Sequence, residues 1–177
     1  MKIKIKYSFL ILILVSIVAC SFVSNNNNQN SKKRNFVTEN ILYDYDSISV
    51  YYDLDSLQTN PTEKQKIQLK NILDKIYELN DTIQIALYND YKESYSYYIE
   101  GASSYKISKN DLEELFPNPA KKNKIINMYK LETIYVSKED ELNDNSFRIA
   151  YNFISDIEHE YIVEFEDGRI VRIGPNG

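Results

Sequence analysis

The hydrophobic residues of this chain change period twice, and that change restricts the fold more than any single motif. Between Ile41 and Leu54 apolar side chains recur every second residue, with Ile48, Val50, Tyr52 and Leu54 on one face. That is the spacing of a half-buried strand, and the "YDYDS" before it suits a preceding strand and turn, so the segment reads as a β-hairpin. The period then lengthens. Leu69, Ile72, Leu73, Ile76 and Leu79 recur at three- and four-residue intervals, the stripe of an amphipathic helix. Beyond residue 130 it shortens again: 131–137 form one candidate strand, and Phe147, Ile149, Tyr151 and Phe153 alternate with polar Arg148 and Asn152 in the next. "EYIVEFEDGRIVRI" then reads as a hairpin turning at Asp167–Gly168. The acidic "SKEDELNDN" lies between the first two of these strands as a turn. The order implies an α+β fold: an N-terminal β-hairpin, central helices, and a C-terminal antiparallel β-meander packed on the helices.

Local chemistry places the helix boundaries. Asn60 reads as an N-cap, with Pro61 at the first helical position and Glu63 in the reciprocal one, giving a helix over 61–79. Asp81 starts a second, which turns Ile83, Leu87 and Tyr91 inward. Ser108, with Asp111 three residues on, starts a short third that buries Leu112 and Leu115 before Pro117 stops it. Asn118–Pro119 repeats the Asn–Pro device and launches a helix through Ile125, Ile126 and Tyr129.

The run "KLETIYVSKEDELNDNSFRIAYNFISDIEHEYIVEFEDGRIVRIG", preceded by a helical region containing "LEEL", Leu112 to Leu115, resembles a family of small, uncharacterised bacterial α+β proteins. The likeness covers residues 41–173 and rests on hydrophobic patterning and turn chemistry. It implies a fold and carries over no catalytic residue.

The amino terminus reads as an address. Lys2, Lys4 and Lys6 precede an apolar run from Phe9 to Ala19. A helix of that length is too short for a hydrocarbon core of ~30 Å, which takes about 20 residues, and it matches the apolar region of a secretory signal. "IVAC" then resembles the bacterial lipobox, with Ala19 before Cys20, the protein's only cysteine. In lipobox precursors the cysteine thiol receives a diacylglycerol and cleavage exposes it as the new amino terminus. Two or three acyl chains anchor stably where one is marginal. Residues 1–19 are therefore expected to be a signal peptide, and 20–40 the lipidated cysteine and a disordered tether. Residues 41–177 are then a single α+β domain, held in the cell envelope on a bacterial membrane, the outer one if the cell has one. The tether's "NNNNQNSKKR" has almost nothing to bury. Lys32, Lys33 and Arg34 within it are either solvated or in touch with anionic head groups.

Composition removes several function classes. Loss of the first three lysines takes the formal charge from −5 to −8, a balance unsuited to nucleic acid. Four glycines in 177 residues argue against phosphate-cradling loops. His159, the sole histidine, falls in the short "DIEHEY" turn, where it reads as exposed, and with Cys20 acylated no Cys–His site or zinc site can be assembled. Asp44, Asp46, Asp53 and Asp55 flank the first hairpin and Glu139, Asp140, Glu141 and Asp144 crowd one turn. Their spacing lacks the EF-hand pattern and reads as solvated acid, so no metal and no cofactor are expected.

The surplus is tyrosine. "LYNDYKESYSYYIEG" holds Tyr88, Tyr91, Tyr95, Tyr97 and Tyr98, and tyrosine offers stiff, amphipathic contact area for a protein partner. The favoured expectation is a non-catalytic envelope lipoprotein that binds another protein through this segment and the acidic turn, interference with a toxin being one version. The alternatives are a carboxylate-dependent cell-wall or glycan hydrolase, and a small-ligand or glycan-binding module. Cys20→Ala is expected to leave an unprocessed precursor without acyl label; undiminished incorporation of a labelled fatty acid would refute the lipobox.

Overall fold

Strands β1 (Asn35–Tyr43) and β2 (Asp46–Leu54) form an antiparallel hairpin, in register from Asn35 opposite Leu54 to Tyr43 opposite Asp46. The computed structural model describes residues 35–44, 46–103 and 107–176. The expected signal segment 1–19, Cys20 and residues 21–34 lie outside them. Residues 35–40, assigned to the tether by sequence, belong to β1. The domain starts earlier than Ile41 because Val37, like Ile41 and Tyr43, packs against the core, which gives the segment an apolar face to bury.

After the hairpin the chain enters helix α1 (Glu63–Ser103), about 60 Å long at 1.5 Å per residue. Its start corrects the expected cap. Thr62 and Gln65, not Asn60 and Glu63, form the reciprocal pair: the Gln65 N–H donates to Thr62 Oγ1 (3.2 Å), and the Thr62 N–H donates to Gln65 Oε1 (3.0 Å). The expected break at Asn80–Asp81 is also absent. No glycine or proline occurs between Thr62 and Glu100, and the buried stripe of Leu69, Ile72, Ile76, Ile83, Leu87 and Tyr91 runs straight through. Asn80 Oδ1 accepts a bond from Gln84 Nε2 one turn on (3.3 Å) instead of capping a new helix.

Two short helices follow, α2 (Lys109–Leu115) and α3 (Lys122–Ile126). Ser108 caps α2 as expected, accepting from the Asp111 N–H. Leu112 and Leu115 are only half-buried, because α2 has no fully buried residue. Asn118 closes a local turn onto the Ala120 N–H (2.9 Å), so α3 begins at Lys122 and ends before Tyr129, which opens the next strand.

Strands β3 (Tyr129–Val136), β4 (Phe147–Phe153), β5 (Asp156–Glu166) and β6 (Arg169–Pro175) complete a six-stranded sheet in the order β1-β2-β3-β4-β5-β6. All neighbours are antiparallel except β2 and β3, which are parallel and are joined by the helical segment, since a parallel pair needs a long crossover. The acidic connection between β3 and β4 carries one 3₁₀ turn, Glu139–Glu141. At the β5–β6 turn Asp167 and Gly168 both have positive φ, 50° and 73°, the signature of a two-residue type I′ loop. His159 sits on β5 and not in a turn.

Val50, Ile134, Ile149 and Val163 form one cross-strand row of the core. Phe153, on the same face of β4 as Ile149, meets Tyr91 and Tyr98 of α1 (centroids 6.0 Å from each). The helices therefore cover this face. At its other end α1 is fastened by buried Gln65, whose Nε2 donates to the backbone carbonyls of Asp53 (2.8 Å) and Ser137 (2.9 Å). Among the described residues no helix is long and apolar enough to cross a membrane. Gln65→Ala is expected to lower stability by about 2–4 kcal/mol, since it removes half of a capping pair and strands two carbonyls. Chemical denaturation checks this, and a loss below ~1 kcal/mol would refute it.

Candidate functional site

The tyrosine-rich segment folds into α1, and helical geometry disperses it. Tyr91 is fully buried and its hydroxyl donates to the Pro117 carbonyl (2.8 Å). Tyr88 is half-buried and donates to the Pro119 carbonyl (3.1 Å). Tyr95 and Tyr98 are also half-buried: Tyr95 lies 6.0 Å from the Tyr91 ring, and Tyr98 stacks on Phe116 at 5.3 Å. Only Tyr97, 76% exposed, faces solvent. The five residues are thus mainly an anchor for α2 and α3, with Tyr97 the one largely exposed ring among them. Burial, with neighbouring charges adding to it, pushes the Tyr98 hydroxyl up to about 12.

The acidic residues do not converge on a metal either. Among the described residues no group of three or more Asp, Glu, His or Cys is placed to hold an ion. Glu139 of the acidic turn pairs with Lys64 of α1 at 2.7 Å, which holds its carboxyl below the usual range. His159 Nδ1 lies 3.1 Å from Asp156 Oδ1 on an exposed stretch of β5, with no nucleophile in the pairing.

The concentration of chemistry lies on the opposite face of the sheet. Alternation sends Phe36, Tyr51, Tyr135, Arg148, Glu164 and Arg172 there, because each is one residue out of step with the core row. Strand pairing aligns them: Tyr51 opposite Tyr135, Tyr135 opposite Arg148, Arg148 opposite Glu164, and Glu164 opposite Arg172. The Phe36 and Tyr51 rings lie 5.8 Å apart, Tyr51 and Tyr135 stack at 5.7 Å, and the Arg148 guanidinium sits 4.0 Å above the Tyr135 ring. Such a cation over an aromatic face is held by the ring quadrupole. Arg172 lies 3.5 Å from Glu164 and ends the row.

A second contact ties strands that are not neighbours. The Tyr135 hydroxyl, on β3, donates to Glu160 Oε2, on β5, at 2.6 Å. The pair spans β4, which lies between β3 and β5. Burial, then the bond to Glu160, raises the Tyr135 hydroxyl well above its ordinary pKa, and Arg148 opposes the shift. At the end of the face where β2 and β3 finish, Phe36, Tyr51, Asp53, Arg148, Glu164 and Glu166 help line an open depression of about 490 Å³. Asp53 Oδ1 is buried there without a hydrogen-bond partner among the described residues.

One protein family, described as "Domain of unknown function (DUF6985)", matches residues 24–177. The chain belongs to the DUF6985 family. The match spans every strand and helix described above, so the sheet and both of its faces lie within the matched segment. No curated protein and no solved structure matches the chain.

Sequence reasoning missed the open face of this DUF6985 domain because its partners are far apart in the chain. One signal was present: Tyr51 occupies the face of β2 that should be polar, between core residues Val50 and Tyr52. The buried tyrosines make a pH prediction. Tyr52, Tyr91, Tyr129, Tyr135 and Tyr151 are all raised above 10.0, burial being the first cause in each. The unfolded chain releases these protons near pH 10 while the folded domain retains them, so their contribution is intact below pH 10 and stability falls as pH rises beyond it. The share of the tyrosinate absorbance that belongs to these five of the 16 tyrosines is expected to appear together with the loss of circular dichroism; its full appearance beforehand would refute the assignment.

Proposed function

We propose that this DUF6985 domain is a non-catalytic protein-binding module, moored to a bacterial envelope membrane by lipid at Cys20 and presenting the open face of its sheet to a partner. The observation that carries the reading is the aromatic ladder Phe36–Tyr51–Tyr135 with Arg148 laid across its end. Tyrosine and arginine are the residues that most often dominate protein interfaces, since they bring large contact area with a polar tip at low cost in entropy. Phe36 is 61% exposed, although it sits on a strand paired throughout its length with β2. A rigid sheet fixes the spacing of these side chains in advance, which lowers the ordering cost of association.

The lipid supplies the address and the sheet the contact. The acidic turn lies at the same end of the sheet as the depression, since the 3₁₀ turn follows β3 and Ser137 lines the depression's wall. Photoreactive residues placed at positions 36 and 51 in intact cells are expected to yield a discrete protein adduct. The same probe at Tyr77, 81% exposed on α1, is expected to yield none. Equal capture from position 77, or no adduct from either face position, would overturn the proposal.

A further inference from the structure

We infer that the depression at the β2–β3 end of the open face takes a cationic side chain, arginine above all, presented by a basic protein partner. This deepens the protein-binding reading and rests on it.

Three carboxylates, Asp53, Glu164 and Glu166, line the depression against a single base, Arg148. Arg148 lies over the Tyr135 ring and Arg172 pairs with Glu164, which leaves Asp53 and Glu166 as the lining carboxylates without an ion-pair partner among the described residues. A carboxylate oxygen can only accept hydrogen bonds, and Asp53 Oδ1 accepts none from the described residues. Glu166, on the exposed rim, is the acceptor an incoming group meets first, and the buried Asp53 oxygen, closed to solvent, is reached only by displacing what covers it. The π faces of Phe36 and Tyr51 stand beside it, Phe36 lying opposite Asp53 in the strand register. An arginine side chain meets both demands at once: its planar guanidinium stacks on aromatic rings and donates in a fork to a carboxylate.

The domain supplies a precedent in Arg148, which lies over Tyr135 in the same row with Glu164 opposite it. Charge at longer range points the same way. All 26 acidic residues lie at or beyond Asn35 while six of the 21 basic ones precede it, so the chain's −5 becomes −11 from Asn35 onward. Such a surface steers basic partners towards it and turns acidic ones away. It disfavours anionic lipid and nucleic acid as occupants for the same reason.

The test uses the full-length chain in detergent, with N-acetyl-arginine amide as probe and its uncharged isostere N-acetyl-citrulline amide as control, followed by NMR of the tyrosine and phenylalanine rings. The arginine probe is expected to shift the Phe36 and Tyr51 signals saturably, with citrulline at least about tenfold weaker and binding weakened by added salt. Asp53→Asn is expected to weaken the arginine probe about fivefold or more, and Glu166→Gln, on the exposed rim, to weaken it as well even if the first variant folds poorly. Asp74→Asn, exposed on α1, is expected to leave it unchanged. Equal binding of arginine and citrulline, indifference to both face variants, or preference for N-acetyl-glutamate amide would overturn the inference. Should positions 36 and 51 capture a protein while the arginine probe fails, the cationic specificity falls and the binding face stands; should neither occur, both fall.

Discussion

The architecture turns on Gln65. A parallel pair inside an otherwise antiparallel sheet requires the chain to leave at the end of β2 and return at the start of β3, and the intervening helix must be fixed against both strands. Gln65 does this with one side chain. Its amide nitrogen binds the carbonyls of Asp53 and Ser137, where β2 and β3 end, and its oxygen completes the cap of α1 on Thr62. Every polar atom of the side chain is used, which is the condition under which a buried amide favours one arrangement over others. The register of β2 against β3 then follows, and with it the stacking of Tyr51 on Tyr135.

That joint also explains which parts of the fold were legible in the sequence. The I′ turn at Asp167–Gly168 and the alternation of β4 are local and were readable. The helix start was not, because Asn60–Pro61–Glu63 and Thr62–Gln65 are equally good caps taken alone. What separates them is that Gln65 has carbonyls to bind from two distant strands, a tertiary fact. Asn80–Asp81 misled in a similar way. Asparagine and aspartate signal caps because their side chains compete with the backbone, but within an unbroken apolar stripe that preference is overruled by packing.

The tyrosines show the limit from the other side. Tyr88, Tyr91, Tyr95 and Tyr98 are spaced by three or four residues, which on a helix means one face, so these four rings form a half-buried seam around Tyr91. Tyr97 falls off that stripe and is the one exposed. The open-face ladder is the reverse case: Phe36, Tyr51, Tyr135 and Arg148 are scattered along the chain and adjacent only because six strands lie in sequential order. Alternation could place each on a face. Only strand order could place them in a row.

On the proposed anchoring, charge also decides how the domain stands relative to its membrane. The basic residues of the chain's first 34 positions and the −11 remainder from Asn35 onward respond oppositely to an anionic bilayer. On that proposal the signal segment is lost, and Lys32, Lys33 and Arg34 either stay solvated or meet anionic head groups within a Debye length of about 8 Å at physiological salt. The domain that follows is repelled over the same distance. Repulsion of that kind is weak, but it acts on every orientation that brings the carboxylate-lined depression towards lipid. On that proposal charge favours a domain held just clear of an anionic surface, and a positively charged membrane would remove that bias.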